Sequence, residues 1–183
     1  SWAAGLLLRP GAGGLLVDGD HSTMLGAVLP IPESDDLVAD LRRAMPAAAS
    51  DTVRDLYQRW MEPLLDRIDD ETMLVNAIAD AAESDPTITT VRDLVDRFAL
   101  GERTLQRLIR RRIGFSPRWL IQRRRLQEAA FLVRRDAEVP LVDIAASTGY
   151  ADQAHFTREF RAVTGQTPGE YRRAVRSAEE ERP

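Results

Sequence analysis

The 183-residue sequence has no cysteine and only two histidines, His21 and His155. Without cysteine the chain has no disulfide, no thiol nucleophile and no thiolate metal ligand. The two histidines lie far apart and have no evident partner constellation, which argues against acid–base and metal chemistry. Asp18 and Asp20 lie close to His21, but no further ligand cluster is near them, so a polar turn is favoured over a metal site. The sequence therefore predicts no metal site and no cofactor.

Long apolar runs and targeting signals are also missing. No apolar run approaches the roughly 20 residues that a membrane-spanning helix needs, so we expect no contact with a membrane. The first residues lack the basic region and the long apolar core of a secretory signal peptide. The first residue is not methionine, which is typical of a fragment or a processed chain. This composition suits a cytoplasmic protein.

Positive charge comes only from arginine, and it is unevenly distributed. All 25 basic residues are arginine. Residues 1–71 hold 6 of them against 13 acidic residues, whereas residues 72–178 hold 18 against 13. An acidic first part and a basic second part indicate that only the second part meets a polyanion. Solvated helix faces can also be rich in arginine, so charge alone does not decide the function.

The acidic first part divides into two patterns. Up to residue 32, short apolar runs are punctuated by glycine and proline, which predicts short strands and turns. Two amphipathic helices then follow, beginning at Ser34 and Ser50, and Pro63 is expected to kink the second. This helix pair is either a hairpin that packs on the basic part or a dimerisation surface.

The basic part contains two helix-turn-helix patterns separated by an arginine-rich helix. Each pattern, in residues 91–110 and 142–160, is a short apolar-periodic helix, a turn with a glycine and a second helix. The helix from Pro117 to about Arg134 should be roughly 27 Å long. It can hold two recognition helices about one DNA turn, ~34 Å, apart, so that they enter successive major grooves. Arg123, Arg124 and Arg125 cannot all face one way, so we expect at least one to pair with an acid inside the domain.

The second helix of each pattern carries the candidate DNA contacts on its outward face. In the first pattern this face is a stripe at i, i+3, i+4 and i+7, formed by Arg103, Gln106, Arg107 and Arg110. In the second pattern the outward candidates are Gln153, Ala154, Thr157 and Arg158. Arginine and glutamine have the bidentate geometry that suits guanine and adenine edges, whereas alanine offers at most a methyl contact. For Arg111 we expect a phosphate contact or helix capping rather than base reading. His155 is predicted to be a polar packing residue.

An ordered set of short motifs resembles the AraC/XylS family of bacterial transcription regulators. The most specific stretch runs from His155 to Phe160 and continues through Thr164–Pro168 to Tyr171-Arg172. The other matching stretches are Leu105-Gln106-Arg107, Gly114-Phe115-Ser116-Pro117, Arg125–Ala129, Ile144-Ala145 and Gly149–Asp152. Together they cover roughly residues 72–176, which is far more specific than a single helix-turn-helix pattern.

The resemblance implies seven helices in two subdomains joined by the long helix, and an asymmetric DNA site. It implies base contacts from the positions occupied here by Arg103, Gln106, Arg107, Gln153, Ala154, Thr157 and Arg158. The phosphate contacts are predicted at Thr104, Arg110, Arg111 and Arg172. Family members usually carry a separate sensing or dimerising domain, and residues 5–12 resemble the closing strand and turn of such a domain. Residues 1–71 are too short for the usual β-barrel sensor, which favours a truncated remnant.

We therefore predict a mostly α fold with three parts. Residues 1–71 form a small N-terminal strand and helix segment, either a sensor remnant or a dimerisation region. Residues 72–176 form two helix-turn-helix subdomains joined by a long linker helix, and residues 177–183 form an acidic tail. The predicted function is sequence-specific transcription regulation, as activator or repressor, through two recognition helices that bind double-stranded DNA.

Further partners and alternatives remain open at the level of sequence. RNA polymerase, a second copy of the chain and a small-molecule effector acting through a missing N-terminal portion are the additional predicted partners. The alternative function is a protein-interaction module on the same fold, which a weak salt dependence of DNA binding would favour. An enzyme is rejected, because proteins that join this fold to DNA repair use a cysteine.

Overall fold

The computed structural model describes residues 3–31, 33–45, 50–135 and 138–180. These residues form helices α1 to α9 and two short 3₁₀ segments, η1 and η2. In chain order they are η1 (Pro10–Leu15), η2 (His21–Thr23), α1 (Asp35–Ala44), α2 (Ser50–Leu65), α3 (Asp70–Ser84), α4 (Val91–Phe98), α5 (Glu102–Ile113), α6 (Pro117–Arg135), α7 (Leu141–Ser147), α8 (Gln153–Thr164) and α9 (Pro168–Glu180). The first compact unit contains the described residues up to 81 together with 94–117, and the second contains 82–93 and the residues from 118 onward. The predicted mostly α fold is confirmed.

The predicted N-terminal strands are wrong, because no strand occurs in the described residues of segment 1–32. The sequence after Arg9 instead closes local turns, with Ala12 N–H donating to Arg9 O and Leu16 N–H to Gly13 O. Leu15 is buried without a neighbouring strand to pair with. Glycine and proline at this density favour tight turns over extended backbone, and the apolar run is too short to form a sheet by itself.

Both 3₁₀ segments pack against helices of the first unit. Gly11 N–H donates to Asn76 Oδ1 of α3 at 2.8 Å, and a Cβ at this glycine would lie 2.7 Å from Thr72 O. His21 Nδ1 lies 2.8 Å from Arg112 O in the last turn of α5. Gly114, which caps α5 in the left-handed region, would meet Leu25 at 2.7 Å if it carried a Cβ. The N-terminal segment therefore braces the C-terminal end of α5.

Helices α1 and α2 pack on each other within the first unit. Leu37, Leu41 and Leu56 form their buried cluster, and Trp60 packs against it. The Trp60 indole N–H also donates to Glu33 O at 3.1 Å. These contacts show that α1 and α2 form a hairpin. Packing of this hairpin on the basic part and its use as a dimerisation surface both stay predictions. The predicted domain boundary at residue 71 stays a prediction, although η1 and η2 contact helices on the other side of it.

The second unit is built around an aromatic row on α8. Phe156 and Phe160 are fully buried between α6, α7 and α9. Their ring centroids are 5.5 Å apart, and Tyr150 and Tyr171 extend the row at 5.1 Å and 5.5 Å. Tilted and edge-on contacts of this kind stabilise a core beyond the area that they bury. The row fixes which face of α8 turns outward.

The three arginines of α6 bind groups inside the second unit. Arg123 forms an ion pair with Glu83 at 2.5 Å. Arg124 donates to the backbone carbonyls of residues 85 and 88. Arg125 donates to Thr148 O at 2.9 Å. The expectation that at least one of the three pairs with an acid is confirmed, and all three stabilise packing.

Both helix-turn-helix turns use a left-handed residue, but only one of them is glycine. Gly149 has φ of 77°, and the next N–H, of Tyr150, bonds back to Ala145 O. In the first unit the equivalent residue is Ala99, with φ of 50°. Gly101, which the sequence pattern placed in the turn, is instead the extended residue before α5. An L side chain at positive φ is strained, so the first turn stores strain that the second does not.

The strain difference predicts opposite stability changes at the two turns. Ala99→Gly is expected to raise the free energy of unfolding by about 0.5 kcal/mol, because relief of strain slightly exceeds the added entropy of glycine in the unfolded chain. Gly149→Ala is expected to lower it by about 1–2 kcal/mol. Urea unfolding of both variants measures the changes. A destabilised Ala99→Gly variant would contradict the left-handed assignment.

The N-terminus of α4 predicts a pH-dependent contribution. Asp93 accepts from Thr89 N–H and Thr90 N–H, both at 2.8 Å, and these hydrogen bonds lower the pKa of its carboxyl. The stabilisation is present above the unfolded-state pKa of about 3.9 and is lost as pH falls through the lower folded-state pKa. Asp93→Asn should cost about 0.5–1 kcal/mol at neutral pH. In urea unfolding the difference from the unsubstituted chain should vanish in acid; a difference independent of pH would contradict this account.

Candidate nucleic-acid interface

Helix α5 presents the predicted polar stripe to solvent. Its buried face is formed by Leu105, Leu108 and Ile109. The opposite face is exposed and carries Arg103, Gln106, Arg107 and Arg110. The helical period therefore places these four side chains on one face of α5, as the sequence predicted.

The arginines of this stripe are not used by the fold. Within the described part of the chain, Arg103, Arg107 and Arg110 form no ion pair and no side-chain hydrogen bond. Gln106 Nε2 donates to Glu102 Oε1 at 2.9 Å, one turn earlier on α5. Arg103 and Arg107, as exposed guanidinium groups in no ion pair with the described residues, are available for guanine edges or phosphates. Arg110 also lies close enough to Asp20 to interact with its carboxylate.

Glu102 is a candidate that the sequence analysis missed. It is exposed at the start of α5, beside Gln106 and on the predicted contact face. A carboxylate in this position can accept a hydrogen bond from the amino group of cytosine. The signal in the sequence was its i, i+4 spacing to Gln106, which a search for basic residues alone does not detect.

Arg111, a predicted phosphate contact, is bound to an acid of the same unit. Its Nη2 lies 2.8 Å and 2.7 Å from the two carboxylate oxygens of Glu71. The neighbouring Arg112 donates to Thr72 Oγ1 at 2.8 Å and lies 3.3 Å from Glu71. The Arg111 side chain is 52% exposed, whereas that of Arg112 is only 19% exposed. Arg111 can therefore exchange Glu71 for a phosphate, but Arg112 is part of the packing.

An acidic wall faces the predicted contacts on this side of α5. A groove of about 550 Å³ is lined by Thr104, Arg107 and Arg111 on the α5 side and by Asp70 and Glu71 of α3. Thr104, the other predicted phosphate contact here, is exposed in the first turns of α5. Carboxylates beside a polyanion site weaken its attraction for phosphate. The groove thus places arginines that attract a phosphate beside carboxylates that repel it.

Helix α8 is positioned by a cap and by its buried aromatics. The Asp152 carboxylate accepts from His155 N–H at 2.6 Å, which fixes the first turn. On the outward side Gln153, Ala154 and Arg158 are exposed, while Thr157 is half-buried. Arg158 forms no ion pair with any residue that the structure describes. The residues predicted for the second contact face therefore lie on the outward side of α8, and they are less basic than those of α5.

Two further predicted residues act mainly in packing. His155 lies edge-on to Tyr150 with ring centroids 5.5 Å apart, and its Nε2 is 3.2 Å from Glu159 Oε1, as expected of a polar packing residue. Arg172 is half-buried and donates to Val139 O at 2.8 Å. Because its guanidinium already holds a backbone carbonyl, a phosphate predicted to contact Arg172 would share this side chain with the packing of the fold.

Known proteins share this arrangement of helices. A family model described as a helix-turn-helix domain matches residues 94–174. A solved structure described as "a probable AraC family transcriptional regulator from Rhodopseudomonas palustris CGA009" is 26% identical, with a TM-score of 0.50, over 56% of this chain and 96% of that one. The DNA-binding domain of AdpA, solved in complex with a target DNA, is 26% identical, with a TM-score of 0.51, over 60% of this chain and 97% of that one. Residues 94–174 thus match a helix-turn-helix domain and are similar to a probable AraC-family regulator.

A relative from Escherichia fergusonii is similar over part of this chain. It is the "HTH-type transcriptional activator RhaS", which is 39% identical over 79 residues, covering 43% of this chain and 28% of the activator. This chain thus spans less than a third of the relative's length. The printed names of this relative and of the Rhodopseudomonas palustris structure are those of transcription regulators. In the described residues no group of three or more acids and histidines could hold a metal ion, and no helix is long and apolar enough to cross a membrane.

The groove beside α5 predicts that Glu71 weakens DNA binding. Glu71→Gln should strengthen binding to cognate and random DNA alike and steepen the logarithmic salt slope by about one unit, because Arg111 becomes free for a phosphate. Arg111→Ala should weaken both and flatten the slope by about one unit. Fluorescence anisotropy over a salt series measures both slopes.

Glu83→Gln is the matched control, since it removes an equally exposed acid from the ion pair with Arg123 on α6. This control should leave DNA binding unchanged. If Arg111→Ala keeps the original salt slope, Arg111 is a structural residue only.

Proposed function

We propose that this chain is a sequence-specific, DNA-binding transcription regulator that reads DNA with α5 and α8. The observation that carries the proposal is the distribution of arginine partners. Arg112, Arg124 and Arg125 bind carboxylates, hydroxyls or carbonyls of the fold. The exposed faces of α5 and α8 instead carry arginines in no ion pair with the described residues, at positions typical of base contacts in an AraC/XylS domain.

Binding would proceed in two physical steps. Arginines first attract the phosphate backbone, and release of condensed counterions supplies affinity that is independent of sequence. Base edges are then read by Arg103, Gln106 and Arg107 from α5 and by Gln153 and Arg158 from α8. Ala154 and Thr157 can add contacts to thymine methyl groups. Thr104, Arg110 and Arg111 would fix the register through phosphates.

Helix α6 supports a two-headed reader. Its 19 residues span about 28 Å at 1.5 Å per residue. Successive major grooves on one side of DNA are about 34 Å apart. A linker of this length suits recognition helices that enter successive grooves of one asymmetric site.

The remaining partners follow from the relatives and from the N-terminal part. The match to an activator favours activation, and hence contact with RNA polymerase, over repression. We keep residues 1–71 as an effector-linked or dimerising segment, residues 72–176 as the DNA-binding domain and residues 177–183 as a tail. Because chromosomal DNA is the target, we place the protein in the bacterial cytoplasm.

The second candidate function is a protein-interaction module. It is favoured by exposed apolar side chains in the N-terminal part, notably Leu7 and Val28. Exposed apolar surface of this kind is typical of a protein contact. Weak and salt-insensitive DNA binding together with a stable protein complex would favour this candidate.

Selection of binding sites from random duplex DNA, read at two salt concentrations, tests the leading proposal. A bipartite motif with halves about one helical turn apart is expected, because each head reads one major groove. Salt-sensitive bulk binding without an enriched motif would contradict a sequence-specific reader formed by this chain alone.

Single substitutions test the base contacts on the selected site. Arg107→Ala and Arg158→Ala should each cost about 1–3 kcal/mol and relax specificity at one position. Arg54→Ala on α2, which removes an exposed arginine that belongs to neither predicted contact face, is the control and should have no effect. Binding is measured by anisotropy on cognate and random DNA. Equal losses on both would contradict base reading and leave only phosphate contact.

A further inference from the structure

Helix α5 carries a carboxylate one turn before its proposed base-reading glutamine. Glu102 is the first residue of α5, and its Oε1 accepts a hydrogen bond from Gln106 Nε2 at 2.9 Å. Both side chains are exposed, as are the neighbouring Arg103 and Arg107. The i, i+4 spacing brings the carboxylate and the amide together on the surface of the helix. Glu102 therefore contacts the amide that the proposed function assigns to base reading.

A purely structural role for Glu102 would act on stability and not on base preference. A negative charge in the first turn stabilises a helix through its dipole, whichever residue lies four positions later. Glu102 forms no ion pair with the residues that the structure describes, so no positive charge of the fold competes with Gln106 for its carboxylate. The hydrogen bond to Gln106 is thus a separate effect, which base preference can reveal.

The hydrogen bond fixes which groups Gln106 can offer to a base. An ionised carboxylate only accepts hydrogen bonds, so the amide must turn an N–H of its amino group toward Glu102. One N–H and the carbonyl oxygen remain for DNA. In the major groove adenine presents one acceptor, N7, and one donor, the N6 amino group, whereas guanine presents two acceptors, N7 and O6. The held amide therefore matches adenine, and its carbonyl oxygen would repel guanine O6.

We propose that Glu102 is a positioning residue that makes Gln106 select adenine over guanine. This inference rests on the proposed function of α5 as a base-reading helix. Without Glu102 the amide can turn over and direct both of its N–H groups to guanine, which reduces the discrimination between the two purines. Glu102 acts here through Gln106, in contrast to the direct cytosine contact that a carboxylate can also make.

Selection of sites from random duplex DNA measures the base preference of Gln106. One position of the selected site is expected to favour adenine, and loss of this preference in Gln106→Ala identifies the position. Glu102→Ala should lower the ratio of adenine to guanine at that position by roughly 3- to 10-fold, the effect of one hydrogen bond. Glu62→Ala, which removes an exposed carboxylate from α2, is the matched control and should leave the ratio unchanged.

The double variant Glu102→Ala, Gln106→Ala separates positioning from direct contact. If Glu102 acts through Gln106, adding Glu102→Ala to Gln106→Ala changes no base preference. A change that persists in the Gln106→Ala background, such as loss of a cytosine at a neighbouring position, would overturn the proposal in favour of direct contact. An unchanged purine ratio in Glu102→Ala, or a Gln106-dependent position that favours another base, would also overturn it. Absence of any motif for the unsubstituted chain would instead contradict the proposed function and, with it, this inference.

The hydrogen bond is tested without DNA by the side-chain amide signals of glutamine in NMR spectra of the full chain. The N–H that donates to Glu102 should resonate downfield. The two amino protons of Gln106 should therefore differ more in chemical shift than those of Gln127, an exposed glutamine on α6. Glu102→Ala should remove this extra difference. Equal differences at both glutamines in the unsubstituted chain would overturn the positioning of Gln106, whether or not the chain reads DNA.

Discussion

Arginine pairing inside the fold decides which positive charge is left for DNA. Arg124 clamps two backbone carbonyls between α3 and α4, and Arg112 joins the end of α5 to the start of α3. Carbonyl and carboxylate partners stabilise such groups where burial would otherwise disfavour the charge. The total number of arginines therefore overstates the positive charge that DNA meets. The relevant number is that of the exposed arginines that form no hydrogen bond or ion pair within the fold.

The solvent exposure of an ion pair decides whether its arginine can exchange the carboxylate for a DNA phosphate. A surface ion pair contributes little net stability, so a phosphate can replace the carboxylate at modest cost. The Arg111 pair with Glu71 is half-exposed and belongs to this class. Arg112 is largely enclosed, and its removal from Glu71 and Thr72 would leave polar groups unpaired. Neighbouring arginines on one helix thus have different roles, and the difference arises from residues 40 positions earlier in the chain.

The periodicity of the sequence correctly predicted the features that depend on a single helix. It did not predict the features that depend on contacts between residues far apart in the chain. The outward stripe of α5 follows from its own leucines, so spacing was sufficient to place Arg103 and Arg107. The partners of Arg111 and Arg172 lie 40 and 33 residues away, and no local pattern contains them. The N-terminal segment was misjudged for the same reason, since docking of Gly11 on Asn76 replaces strand pairing. Ala99 shows a further limit, because packing imposes a left-handed turn on a residue that does not prefer it.

The two recognition helices are supported in physically different ways. The end of α5 is braced by backbone contacts that leave no room for a Cβ at Gly114, so its position is rigidly set. Helix α8 instead rests on an aromatic row, whose buried rings pack edge-on between α6, α7 and α9. The outward face of each recognition helix is therefore set from the opposite side of that helix, by backbone contacts for α5 and by aromatic packing for α8.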